Sequence, residues 1–388
     1  LADGTLSLEL PQFKGRPGWE FTDLSGLDLS AYQPAPAQDT GELQIEPLFE
    51  LATASVLPDG VLVTTIDDAL REHGELVRRR LGSVVAANDV FTILNDSAEY
   101  RSGSFVYVPS GVVVKEPIVL TAAQAQPRTL LNRRTLIVLE EGAQAEVWEQ
   151  YLSASGDLDG VFNAVTELVV GDNAHLRYVC GQRLSERSWI FGAQRAEVGR
   201  DGSLDWVALG FGSARGRVRM ETWLGGPGAD ARITGAYASH ARQHMDFDTT
   251  QEHAAPSTTS DLAFRGVLQG RSTAVWKGNI IVDPGAQKTD AFQESRNLLI
   301  SKRAHADAIP GLEIQANDVR CTHAAAVAQV DPDQLFYLRS HGLREDVAKR
   351  LVIEGFLAAL VERFEEGPVR QQLSDVLERR LQLILNEG

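Results

Sequence analysis

The sequence predicts a mainly β fold: a right-handed parallel β-helix (solenoid) core flanked by α-helical N-terminal and C-terminal regions. Three observations lead there. From about Gly103, short β-branched and aromatic runs such as FVYVPSGVVV and FNAVTELVVGDNAHLRYVC are punctuated by Gly, Asp and Asn, and no helical period persists. A turn followed by an alternating strand recurs at Gly142-Ala143, Asn173-Ala174, Gly202-Ser203 and Gly228-Ala229, at spacings of 26 to 31 residues, the scale of solenoid coils. After Val330 the texture changes to amphipathic helix. An open sandwich shares the strand texture, but the recurrence favours coils that bury their apolar faces by stacking.

In chain order, residues 1–100 read as a mixed, partly helical region, 101–330 as the β-helix core and 331–388 as a helical C-terminal domain. PAPAQDTG, from Pro34 to Gly41, reads as a loop. Thr64-Thr65 offers a cap for one helix over Ile66 to Gly82, with Ile66, Leu70, Leu76, Val77 and Leu81 on its apolar stripe. At the other end, Asp331-Pro332-Asp333-Gln334 combines a capping Asp, Pro at the first helical position and a capping-box Gln. A short helix then runs to Gly342. A second carries Val347, Leu351, Phe356, Leu360 and Phe364 on roughly one face, and a third follows Gly367-Pro368.

Composition narrows the function. With 37 Lys plus Arg against 53 Asp plus Glu, the 388-residue chain carries a formal charge of -16. Such a chain repels phosphate backbones, so nucleic acid is not an expected partner. No run reaches the roughly 18 apolar residues of a membrane span. LADGTLSLEL has neither the basic nor the apolar segment of a signal peptide. Two cysteines are too few for a disulfide framework, and a reducing cytoplasm is the simplest setting. No P-loop, strand-linked GxGxxG or HExxH is present.

Chemistry-bearing residues gather in DVRCTH. On a strand Cys321 and His323 share a face, with Cα atoms about 6.5 Å apart, and thiolate plus imidazole suit zinc or iron-sulfur chemistry. Two ligands do not close a site, since structural zinc takes four and catalytic zinc three. Spacing alone therefore leaves two readings: half a site completed by another chain, or a buried thiol beside a hydrogen-bonded histidine. A Cys-His nucleophile pair is disfavoured, because no third group orients the base. A second cluster, His240, His244, His253, Asp246 and Asp248, is read as a polar, exposed edge of the solenoid.

The stretch LLISKRAHADAIPGLEIQANDVRCTHAAAVAQVDPDQLFYLRSHG resembles the C-terminal signature of the SufB/SufD proteins of iron-sulfur cluster assembly: P-x-L-E-I, Cys-x-His, then L-F-Y-L-R-S-x-G. Weaker similarity reaches through FTILNDSAEYRSGSFVYVPSGVVVKEPIVL to GWEFTDL. SufB-like chains carry a cysteine and a glutamate where this chain has Ser295 and Ala324, so it is most like SufD. The resemblance implies a non-catalytic scaffold subunit that pairs with a SufB-like paralogue, or with itself in isolation. It implies docking of a SufC-like ATPase on the C-terminal helices, with Leu335, Phe336, Tyr337, Leu338, Arg339 and Phe356 as expected contacts. It also implies a nascent iron-sulfur cluster or iron at the interface, with His323 a ligand alongside ligands from SufB and Cys321 nearby. Reduced FAD is a further expectation for the complex. The rivals are a purely structural partner and a carbohydrate-active β-helix enzyme.

Overall fold

The computed structural model describes residues 9–11, 18–37, 45–51, 56–97 and 102–386. Between Ser104–Val108 and Arg320–Gln329, successive strands alternate between a ten-stranded and an eight-stranded sheet. Neighbours in each sheet are parallel, except that Leu62–Thr65 runs antiparallel to Ser104–Val108. This is a parallel β-solenoid of about eight coils, with helices at both ends of the chain.

The coil repeat is conformational. Gly142, Asn173, Asp201, Gly228, Ser257 and Lys288 all hold positive φ, between 51° and 75°. Each precedes by two residues a strand of the smaller sheet. Each donates its backbone N–H to a carbonyl in the next coil, at Asp172, Arg200, Pro227, Pro256, Gln287 and Asp318 respectively. Left-handed backbone costs a non-glycine residue about 1–2 kcal/mol. Here the inter-coil hydrogen bond holds it in place, so the side chain is free to vary. The sequence therefore shows a loose spacing and no strict motif. Strand register follows the same step: Ser203 pairs with His175 and Asp230, and Thr259 with Asp230 and Asp290.

The lumen is packed with aromatic and aliphatic side chains, among them Tyr178, Trp206, Tyr237, Phe247, Phe264 and Trp276. One buried ion pair interrupts it: Arg133 Nε donates to Glu149 at 3.0 Å, and Thr135 and Tyr178 hydroxyls donate to the same carboxylate. Outer faces are covered as well. Trp19, Leu24 and Phe91 pack on Trp189 and Phe191 of the larger sheet, and Ile353, Leu357, Leu373 and Leu377 pack over the smaller one. With both faces buried, Gly160–Val170 is buried at every position, as expected of a covered parallel sheet.

Three expectations need correction. The helix expected over Ile66 to Gly82 is two, Ile66–Glu72 and Gly74–Arg78, because His73 leaves the helical region at φ -131°, ψ 36°; Thr65 does cap the first. On Glu345–Val361 the buried face runs through Ala348, Ile353, Leu357 and Leu360, while Val347 and Leu351 are exposed. The solenoid is a curved seat, and it selects a face one step round from the apolar stripe. Of the loop expected at Pro34 to Gly41, Pro34 ends a two-residue strand, and 38–41 lie outside the described residues.

Candidate functional site

The solenoid ends open. His305–Ile314 closes the larger sheet and Arg320–Gln329 the smaller, each with one edge unpaired among the described residues. Burial falls sharply over the last coil. Asp290–Leu299 alternates buried and accessible positions, whereas its neighbour Arg320–Gln329 has no buried residue.

Register decides which way the last strand's side chains face. Cys321 lies opposite Ala291, His323 opposite Gln293 and Ala325 opposite Ser295. All three partners are fully buried lumen residues, and residues paired in a parallel ladder face the same side. Cys321 and His323 therefore lie together on the lumen face of the final strand, where no further coil covers them among the described residues. Cys321 is half-buried against Ile280, Val282, Ala286 and Ala291. His323 is exposed and makes no side-chain hydrogen bond among the described residues. Beneath it, Gln293 Nε2 donates to the carbonyls of Gly311 at 3.0 Å and Gly278 at 3.3 Å, tying the two sheets together. Burial, and then the Asp290 carboxylate, raise the Cys321 pKa, so the thiol is protonated near neutrality and a metal must displace that proton to bind it.

The second cysteine does not join this site. Cys180 lies in the lumen five strands down the smaller sheet, about 24 Å away at the usual strand spacing. Burial and Glu149 push its thiol up to about 12. No group of three or more His, Cys, Asp or Glu side chains able to hold a metal occurs among the described residues. What the chain presents is a pair of donors at an open end.

In the cluster read as an exposed edge, His240, Asp246 and His253 are buried and His244 and Asp248 are half-buried. His253 is inaccessible, with its ring nitrogens against Thr258 and Ser260 hydroxyls at 2.8 and 2.9 Å. Asp246 accepts from Thr22 at 2.6 Å. Asp248 is paired with Arg217, and His240 with Glu186. The N-terminal segment reaches Asp246 through Thr22, and the last helix reaches the His240 partner Glu186 through Arg380; a local sequence window shows neither.

The helices Pro332–Ser340, Glu345–Val361 and Pro368–Asn386 form the other candidate surface. Arginines that sequence reasoning missed clamp them to the smaller sheet. Arg363 donates to Thr234 and Asp261, Arg380 to the Ala238 carbonyl and Gln243, and Arg232 to the Arg363 carbonyl. Among the expected contacts, Phe336, Tyr337 and Arg339 are exposed, and Leu335 and Leu338 are half-buried. Phe356 faces the solenoid instead, its ring 5.0 Å from the Arg265 guanidinium. A groove of about 930 Å³ runs between the second and third helices, lined by Leu351, Leu357, Leu381, Arg350, Glu354 and Glu378. No helix among the described residues is long and apolar enough to cross a membrane.

Comparison with known proteins fits this architecture. Residues 119–356 match the SufBD core domain of the SUF system for iron-sulfur cluster assembly, and residues 48–120 match the SufBD N-terminal region. The iron-sulfur cluster assembly protein SufD of Bacillus subtilis is 34% identical over 326 residues, which is 83% of this chain and 74% of that one. An iron-sulfur cluster assembly SufBD family protein of Mycobacterium tuberculosis is 28% identical over 344 residues, covering 86% and 85%. One from Synechocystis is 27% identical over 406 residues, covering 96% and 89%. Together with the open-ended parallel solenoid, these matches place the chain in the SufBD family of iron-sulfur cluster assembly proteins, where it is most like SufD.

Proposed function

We propose that this chain is the SufD-type half of a two-solenoid scaffold. Its open end pairs with a SufB-like chain, and His323 with Cys321 supplies part of a site where iron or a nascent cluster is held as cargo. The observation that carries this reading is the placement of two soft-metal donors, side by side, on the lumen face of an uncapped coil. A thiol and an imidazole alone leave an iron or zinc ion half-coordinated. A second solenoid docked on the same end supplies both a cover for the apolar floor and the missing ligands.

The C-terminal helices are the dock for a SufC-like ATPase, through exposed Phe336, Tyr337, Val347 and Leu351. Coupling has a short route. Only Val330 and Asp331 separate the strand bearing His323 from the helix Pro332–Ser340. A displacement of that helix by a partner that closes on ATP pulls directly on the site strand. The protein's own part is to position donors and transmit motion; ATP hydrolysis belongs to the partner.

The test is anaerobic reconstitution with the SufB-like and SufC-like partners, comparing wild type with His323→Ala. The expected result is an intact complex whose iron and acid-labile sulfide fall several-fold. A mutant complex that fills normally would make this chain a structural partner only.

A further inference from the structure

A concavity of about 400 Å³ lies on a corner of the solenoid, on the flank where the N-terminal segment crosses. Three arginines line it. Arg215 and His244 begin two adjacent strands of the larger sheet, in register with each other and with Thr273. Arg242 and Arg271 occupy the turns that lead into the last two of these strands. Those turns stack, with Arg271 N–H donating to the Ala241 carbonyl at 2.8 Å. Guanidiniums from three successive coils, about 5 Å apart, thus converge on one hollow.

Their charge is only partly offset. Asp23 is the one carboxylate among the lining residues; it accepts from the Ser25 N–H at 3.0 Å, and that bond and the nearby Arg215 guanidinium hold its pKa down. Arg215 reaches only the Asp23 backbone carbonyl, at 3.5 Å. Among the described residues none of the three arginines forms an ion pair, although most arginines on the solenoid do. In a chain of charge -16, acids to pair with are plentiful, and like charges stacked on adjacent strands repel. His244 adds no positive charge. Its Nδ1 lies 2.7 Å from the Thr273 hydroxyl and its Nε2 3.5 Å from the Thr22 hydroxyl, which donates to Asp246. Burial and the neighbouring Arg215 hold its pKa down to about 4.

We propose that this corner is a binding site for a small phosphate-bearing anion, held by Arg215, Arg242 and Arg271. Planar guanidiniums carrying several N–H donors match phosphate oxygens, and the two surplus positive charges suit a multiply charged group over a single carboxylate. It shares no residue with the Cys321 and His323 pair, so it stands or falls independently of the scaffold reading.

The test is a calorimetric titration of the full chain with inorganic pyrophosphate at about 150 mM salt, where diffuse surface attraction is screened. Wild type is expected to show one saturable site. Arg242→Gln with Arg271→Gln, both exposed positions that leave the fold intact, should weaken it about tenfold or more. Arg78→Gln with Arg79→Gln, the same charge change on a remote surface, should leave it unaltered. No saturable binding in wild type, equal weakening by the control pair, or citrate binding as tightly as pyrophosphate would each overturn the proposal.

Discussion

Buried histidines give this protein a defined response to acid. His253 is inaccessible and bonded through both ring nitrogens to hydroxyls. Burial lowers its pKa from 6.5 to about 4. A lowered histidine pKa means that the folded state prefers the neutral ring. The stability it contributes is fully present above the unfolded value near 6.5 and is lost as pH falls from there toward 4. Over the whole window this amounts to about 3 kcal/mol. Urea unfolding of wild type is expected to weaken between pH 7 and pH 5, with His253→Asn showing a shallower decline. Equal slopes in the two proteins would mean that His253 does not carry the effect. By contrast, the raised pKa of Cys321 bears on the proposed site: a metal bound there displaces the thiol proton, so under that proposal iron uptake measured by reconstitution is expected to rise with pH.

At the scale of elements, the seam between the C-terminal helices and the smaller sheet rests on arginines that reach backbone carbonyls. Arg380 is nearly buried, donates to the Ala238 carbonyl and Gln243, and lies 3.5 Å from the Glu186 carboxylate that also pairs with His240. Its removal leaves a carbonyl and a half-buried carboxylate short of a partner. Arg380→Ala is therefore expected to destabilise the chain by about 2–4 kcal/mol. The loss should concentrate in the helix Pro368–Asn386, read as reduced amide hydrogen-exchange protection there while the central coils remain protected. Uniform loss over the solenoid would show the seam to be part of one cooperative unit. The apolar pattern of the middle helix is broader than the face it buries. Leu357 and Leu360 go inward, whereas Val347 and Leu351 stay exposed, and only the shape of the seat distinguishes them.

The whole molecule is a stack whose final coil is left uncovered among the described residues. Two ten-residue strands, His305–Ile314 and Arg320–Gln329, leave a row of backbone donors and acceptors without a next coil among the described residues. Such edges pair with other strands unless charge or cover prevents it. Here the final strand of the smaller sheet carries Ala324, Ala326 and Ala328 on its outer face, small enough for another backbone to approach closely, and Ile309 is exposed on the last strand of the larger sheet. Ile309→Lys with Ala326→Lys places charge on the outer faces and leaves Cys321 and His323 untouched. Under the proposed pairing, light scattering of wild type mixed with the SufB-like partner is expected to show a complex, and of the variant separate folded chains. A complex that persists would move the interface away from this edge.

Sequence alone determined the strand texture, the coil spacing, the capped C-terminal helices and the Cys-x-His signature, because each depends on near neighbours: alternation, turn residues and caps are local. Ser295 and Ala324 likewise indicated the SufD side from single positions. Tertiary structure decided what depends on stacking. Asp246 and His240 lie far in sequence from Thr22 and Glu186, the partners they meet, so their burial had no local sign. Arg215, Arg242 and Arg271 converge only because residues about 29 apart superimpose on successive coils. Cys321 and His323 become an open pair because theirs is the last strand, with lumen below it and no coil above.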